Sequence, residues 1–128
     1  MRKHGQVAME FVSVIGLVMI VVLILTGALY YLYSNYSEQR TMNEILDLGY
    51  SLQSELILAG QVEPGYIRTL IIPNQVNGES FTISQSSNDL VLGYKESDIL
   101  FRIPSVSGSL KKGTNIITKV DNFSVVIS

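Results

Sequence analysis

From Phe11 to Ser37 the chain carries no formally charged side chain, and most of that stretch is apolar. Residues Phe11 to Tyr33 read FVSVIGLVMIVVLILTGALYYLY. A bilayer core about 30 Å thick needs about 20 predominantly apolar residues in one helix, and this run supplies them. Apart from its tyrosines, the run's polar members are Ser13 and Thr26. Their hydroxyls are expected to bond back to the carbonyls of their own helix. Tyr30, Tyr31, Tyr33 and Tyr36 cluster at the far end, where an interfacial aromatic belt sits. Arg2 and Lys3 precede the run and assign that end to the cytoplasm, with the rest of the chain outside.

Glu10 stands at the mouth of this run and is the sole acidic residue before Glu38. At the centre of a bilayer an ionised side chain costs about 2.5–3.5 kcal/mol on insertion scales. At the membrane edge the cost is lower, but the charge still requires a reason. A helix N-terminus favours a carboxylate through the macrodipole, which is one such reason. A secretory signal peptide fits the segment poorly. Its apolar region runs about 7 to 15 residues and ends at a small-residue cleavage site. This run is longer, and Ala28-Leu29-Tyr30-Tyr31 makes a poor site. A plain signal anchor remains open on the apolar run alone.

The helix is expected to continue past the membrane face. From Glu38 onward, Met42, Ile45, Gly49, Leu52, Leu56 and Ala59 recur at spacings of three and four, which is one face of a helix. Glu38, Arg40, Glu44 and Glu55 fall on other faces. Gly60 suits a C-cap and Pro64 a stop. Gly49 inside the helix costs up to ~1 kcal/mol relative to Ala, so a bend or a close contact is expected there. Gln6 to Ala59 amounts to roughly 80 Å of helix at 1.5 Å per residue.

Beyond Pro64 the pattern becomes β-rich with turn punctuation at short intervals. Strands are expected over 66–72, 80–84, 90–94, 99–103, 114–120 and 123–127. Turns are expected at Asn77-Gly78, Ser87-Asn88-Asp89, Lys95 to Asp98, Lys111-Lys112-Gly113 and Asp121-Asn122. Five to seven short strands at this spacing suggest an antiparallel sheet or a small sandwich. The fold class is therefore α+β: a long N-terminal helix, first apolar and then amphipathic, followed by a small antiparallel β domain.

The residues in front of the apolar run carry a resemblance. Met1-Arg2-Lys3-His4-Gly5 is a short basic leader, followed by Gln6-Val7-Ala8-Met9-Glu10-Phe11. This resembles the processing site of archaeal type IV-like prepilins with class III signal peptides. Pro104, Gly108, Gly113 and Asn115, ahead of the final hairpin, also resemble archaeal pilin C-terminal domains. The resemblance implies a cut between Gly5 and Gln6 by an aspartic membrane peptidase. Glu10 then becomes the fifth mature residue, ahead of Phe11. In that family the Glu is thought to pair with the N-terminal amine of a neighbouring subunit during assembly, so Gln6, Glu10 and Phe11 are the implied assembly residues. The implied parts are a leader (1–5), a filament-core helix (6–37), its amphipathic continuation (38–63) and an extracellular β-rich domain (64–128). The implied partners are further copies of the chain, the prepilin peptidase, an assembly ATPase and a membrane platform protein.

Other chemistry finds little support. The net charge is −2, and the basic residues after Gly5 are scattered, unlike the clustered basic face of a nucleic-acid binder. There is no cysteine, and the one histidine, His4, lies in the leader. A Ser-His-Asp or Cys-His site is then excluded from the mature chain. No cofactor is implied, no metal site and no catalytic residue. Gly16 and Gly27 share a helix face, as close helix packing in an apolar setting favours, but they form no GxxxG. Two N-x-S sequons, Asn35-Tyr36-Ser37 and Asn122-Phe123-Ser124, lie on the expected outer side, where N-glycosylation is permitted.

The reading is a filament subunit, membrane-bound with a cytoplasmic N-terminus before assembly and at the cell surface after it. Its rivals are a minor pilin or pseudopilin of a secretion or uptake system, a single-pass anchored binding module that never polymerises, and an archaellin. Archaellins usually lack this Gln-to-Glu spacing.

Overall fold

The computed structural model describes residues 2–128, with side chains from Gly5 onward. The side chains of Arg2, Lys3 and His4, and all of Met1, lie outside the described residues. One helix, α1 (Arg2–Gln61), is followed by eight short strands. The chain divides into two compact units, residues 1–39 and residues 40–128.

The first unit is helix alone. Its apolar side chains from Val7 to Leu32 are exposed all round the helix. A helix apolar all round is of the kind found in a large protein core or across a membrane. Ser13 Oγ donates to Met9 O and Thr26 Oγ1 to Val22 O, both at 2.8 Å. Both hydroxyls therefore close back onto the preceding turn, as the sequence predicts.

In the second unit, α1 buries Thr41, Ile45, Gly49, Leu52, Leu56 and Ala59, a stripe spaced by three and four. Five of these match the expected face. Thr41 takes the buried place expected of Met42, which is half-buried beside it. The close contact expected at Gly49 is present, because the ring of Phe101 lies directly against its α-carbon. A Cβ there would come within 2.1 Å of Phe101 Cζ. Tyr50 meets the same ring edge to face, with centroids 5.2 Å apart. The helix runs one residue past the expected Gly60 cap, and Val62 N still bonds Leu58 O at 3.1 Å.

The strands are β1 (Ile67–Ile72), β2 (Gln75–Val76), β3 (Glu79–Ser80), β4 (Thr82–Ser86), β5 (Asp89–Tyr94), β6 (Ser97–Arg102), β7 (Gly113–Lys119) and β8 (Val125–Ile127). They form an antiparallel sheet β1-β7-β8, a ribbon β2-β3 and a meander β4-β5-β6. The architecture is α+β as expected, with more strands than the five to seven predicted. The extra ones flank Asn77-Gly78, which reads in sequence as a turn alone. Asn77 and Gly78 both have positive φ, 52° and 76°, as a tight hairpin turn requires. The strand expected over 80–84 is interrupted at Phe81, which turns into the core between β3 and β4. The charged turn expected over Lys95 to Asp98 is shorter, because Ser97 and Asp98 already pair with Tyr94 and Gly93.

Alternation places the core. In β7, Asn115, Ile117 and Lys119 point inward while Thr114 and Ile116 point out. Leu90 and Leu92 of β5, Phe101 of β6, and Val125 and Ile127 of β8 join Ile45, Leu52 and Leu56 of the helix in one apolar cluster. Gly108 adopts φ +94°, and a Cβ on it would sit 2.2 Å from Ile127 O. That position therefore needs glycine on both conformational and steric grounds.

Candidate functional site

The segment Gly5–Phe11 lies on the first turns of α1, exposed throughout. Gly5 has ordinary helical backbone, and a Cβ added to it meets nothing within 4 Å. Glycine inside a helix costs roughly 1 kcal/mol relative to alanine. Packing within this chain gives no return for that cost, so the fold does not explain Gly5. The same is true of Gly16 and Gly27.

Glu10 is exposed one turn beyond Gln6. Side chains that meet on a helix surface are three or four residues apart. For Glu10 these are Gln6, Val7, Ser13 and Val14, none of them cationic. Ser13 turns its hydroxyl to Met9 O. Nothing among the described residues pairs with the carboxylate. Phe11, next to it, is exposed. Among the described residues α1 is also the one helix long and apolar enough to cross a membrane. Of the sequence-predicted residues, helix periodicity brings Gln6 and Glu10 onto one face, while Gly5 and Phe11 are their chain neighbours on other faces.

The two sequons occupy different settings. Asn35 is exposed on α1, in the first unit. Asn122 is exposed in the connection between β7 and β8, in the second. That connection is closed by a bond from Val120 N to Ser124 O at 3.1 Å. Asp121 Oδ1 accepts from Phe123 N at 2.8 Å and Ser124 N at 2.7 Å. These bonds, first the backbone N–H of Phe123 and then the Ser124 groups, hold the Asp121 carboxyl below its ordinary range.

Lys119 was not singled out by the sequence reading, yet it organises this corner. It is 3% exposed. Its Nζ donates to Gly60 O at 2.9 Å and to Asn122 O at 3.3 Å. Helix α1 has no basic residue in its last turn. Lys119 therefore supplies, from a strand, the cation that a helix C-terminus favours. The period-two pattern Asn115-Ile117-Lys119 signals the inward position, although residue type argues against it. Asn115, 2% exposed, is the second buried polar device. It accepts from Lys111 N and donates to Lys111 O and Gly113 O, shaping the turn into β7.

Among the described residues no group of three or more His, Cys, Asp or Glu side chains is placed to hold a metal ion. No protein-family model, no curated protein and no solved structure matched the chain. A functional reading therefore stands on the site itself.

Proposed function

We propose that the chain is the structural subunit of an archaeal type IV-like surface filament, cut after Gly5 and assembled through its apolar N-terminal helix. The observation that carries this reading is Glu10: a carboxylate that no described side chain pairs with, one turn beyond Gln6, heading a helix with apolar side chains on every side. Cutting in front of such a helix keeps it on the mature protein and creates an α-amino group at Gln6. An ammonium on one copy then meets a carboxylate on the next, which offsets the charge's desolvation and sets axial register.

The cut also changes the charge at the cytoplasmic end. Before it, Arg2 and Lys3 hold the end inside. Afterwards the Gln6 amine and Glu10 balance. Outside the cell the apolar run has no lipid, and its own copies are the surface available to cover it. Burying a Val, Leu, Ile or Met side chain from water contributes about 1.5–3 kcal/mol. The precursor needs the peptidase as a partner, and the mature chain an assembly ATPase and a platform protein.

Two variants test the reading. Gly5→Val is expected to leave a full-length membrane species, seen by mass spectrometry. Glu10→Ala is expected to be cut normally yet to yield few fibres in sheared surface preparations. Wild-type fibre levels from Gly5→Val would refute the cleavage assignment, and wild-type levels from Glu10→Ala the pairing role. A single-pass anchor that never polymerises is favoured by the membrane-length helix alone; an uncut Met1 on the native protein is its signature.

A further inference from the structure

We infer that Asn122 carries an N-linked oligosaccharide and that Asn35 does not. The inference rests on the outward placement of the β domain in the reading above.

Both asparagines begin an N-x-S triplet, so sequence does not separate them. Their backbones do. An enzyme that modifies the amide of residue i and reads the hydroxyl of residue i+2 must reach both from one side. In α1, residues two apart are separated by about 200° around the axis. Asn35 and Ser37 therefore point to opposite sides of the helix. Residues 121–124, in contrast, are neither helix nor strand; Asn122 is exposed, and Ser124, half-buried two residues on, has its hydroxyl on the exposed Asp121 carboxylate.

The turn is built to hold Asn122 out. The Val120–Ser124 bond closes its base, and Asp121 binds two of its N–H groups. Lys119 Nζ ties down the Asn122 carbonyl from beneath. The backbone of the triplet is thus fixed on the protein side while the side chain of Asn122 is exposed. Among the described residues no bond engages its amide.

A second observation points to a covering ligand. Phe123 is 95% exposed and Val120 58% exposed, and they flank Asn122 in the same closed turn. Phe123 is the most exposed large apolar side chain described in the molecule. Asn122 is the chain neighbour of Phe123 and two residues from Val120, so a sugar bonded there is held close to both exposed side chains. The bare fold leaves both wet.

The reaction is a glycosyl transfer from a lipid-linked oligosaccharide, the donor class available on the outer side of the membrane. Asn122 Nδ2 forms a bond to the anomeric carbon of the first sugar. The bond from that carbon to the carrier's phosphate oxygen breaks, and its electron pair leaves with the phosphate. One Nδ2 proton passes to a base.

The test is mass spectrometry of the subunit isolated from the cells that make it, from membranes and from fibres separately, together with external protease treatment of intact cells. The peptide containing Asn122 is expected to carry saccharide mass in the membrane pool whether or not fibres form. The peptide containing Asn35 is expected at its bare mass. Asn122→Gln keeps the turn, because its bonds use the Asn122 carbonyl, and is expected to remove all of the saccharide mass. Ser124→Thr is expected to retain it. A bare Asn122 in native subunit overturns the inference, as does saccharide at Asn35. If Asn122 is bare and the domain is cleaved by external protease, the inference alone fails. If it is bare and the domain is protected, the outward topology fails with it.

Discussion

Lys119 shows what a single residue contributes here. A buried ammonium costs several kcal/mol of desolvation unless its protons are bound. Two carbonyls, from Gly60 and Asn122, bind it, and the helix C-terminus adds a favourable dipole. Lys119→Met keeps the stem's volume but leaves both carbonyls without this donor. The domain is expected to lose about 1–3 kcal/mol by denaturant unfolding. An unchanged midpoint and slope would mean that water replaces the ammonium at no cost. Asp121 contributes a pH dependence in the same corner. Its carboxyl is held low by the Phe123 and Ser124 groups, so its ionised form favours the folded turn. That contribution is complete above the ordinary carboxylate pKa of about 4 and is lost as pH falls through the lowered folded value. Amide signals of Phe123 and Ser124 are expected to hold steady from neutral pH to about 4 and to shift below it. In Asp121→Asn that acid shift is expected to disappear.

At the scale of elements, the second half of α1 and the strands are joined by complementary shapes. Gly49 is where the helix lets Phe101 approach. Gly49→Ala gains up to ~1 kcal/mol of helix propensity but forces a buried ring aside. Overpacking of this kind costs typically ~1–3 kcal/mol, so the variant is expected to be destabilised, with a weaker Tyr50–Phe101 contact. A more stable protein would show that the ring moves freely. The helix face, the β-rich tail and most turns were legible in the sequence because each rests on local periodicity or turn chemistry. The ribbon β2-β3 was not, because two-residue strands carry no period. The pairing of β1 with β7 joins residues far apart in the chain, such as Ile72 with Gly113, and no local pattern reports it. Thr41 and Lys119 were missed for a further reason: residue type argued for the surface, and tertiary partners overrode it.

For the whole molecule, the two units divide the chemistry. Residues 40–128 contain the apolar core. Residues 5–39 expose apolar side chains on every side of the helix. By length and composition that helix can cross a membrane, and in the proposed function a bundle of its own copies then covers it. Glu10 was legible from sequence as an ill-placed charge, and the structure adds that no described side chain of its own helix answers it. The most direct measurement is the mass and N-terminal sequence of the subunit recovered from sheared surface fibres. The account predicts a chain that begins at Gln6 and makes up the bulk of the fibre. A chain confined to the membrane and still beginning at Met1 would contradict it.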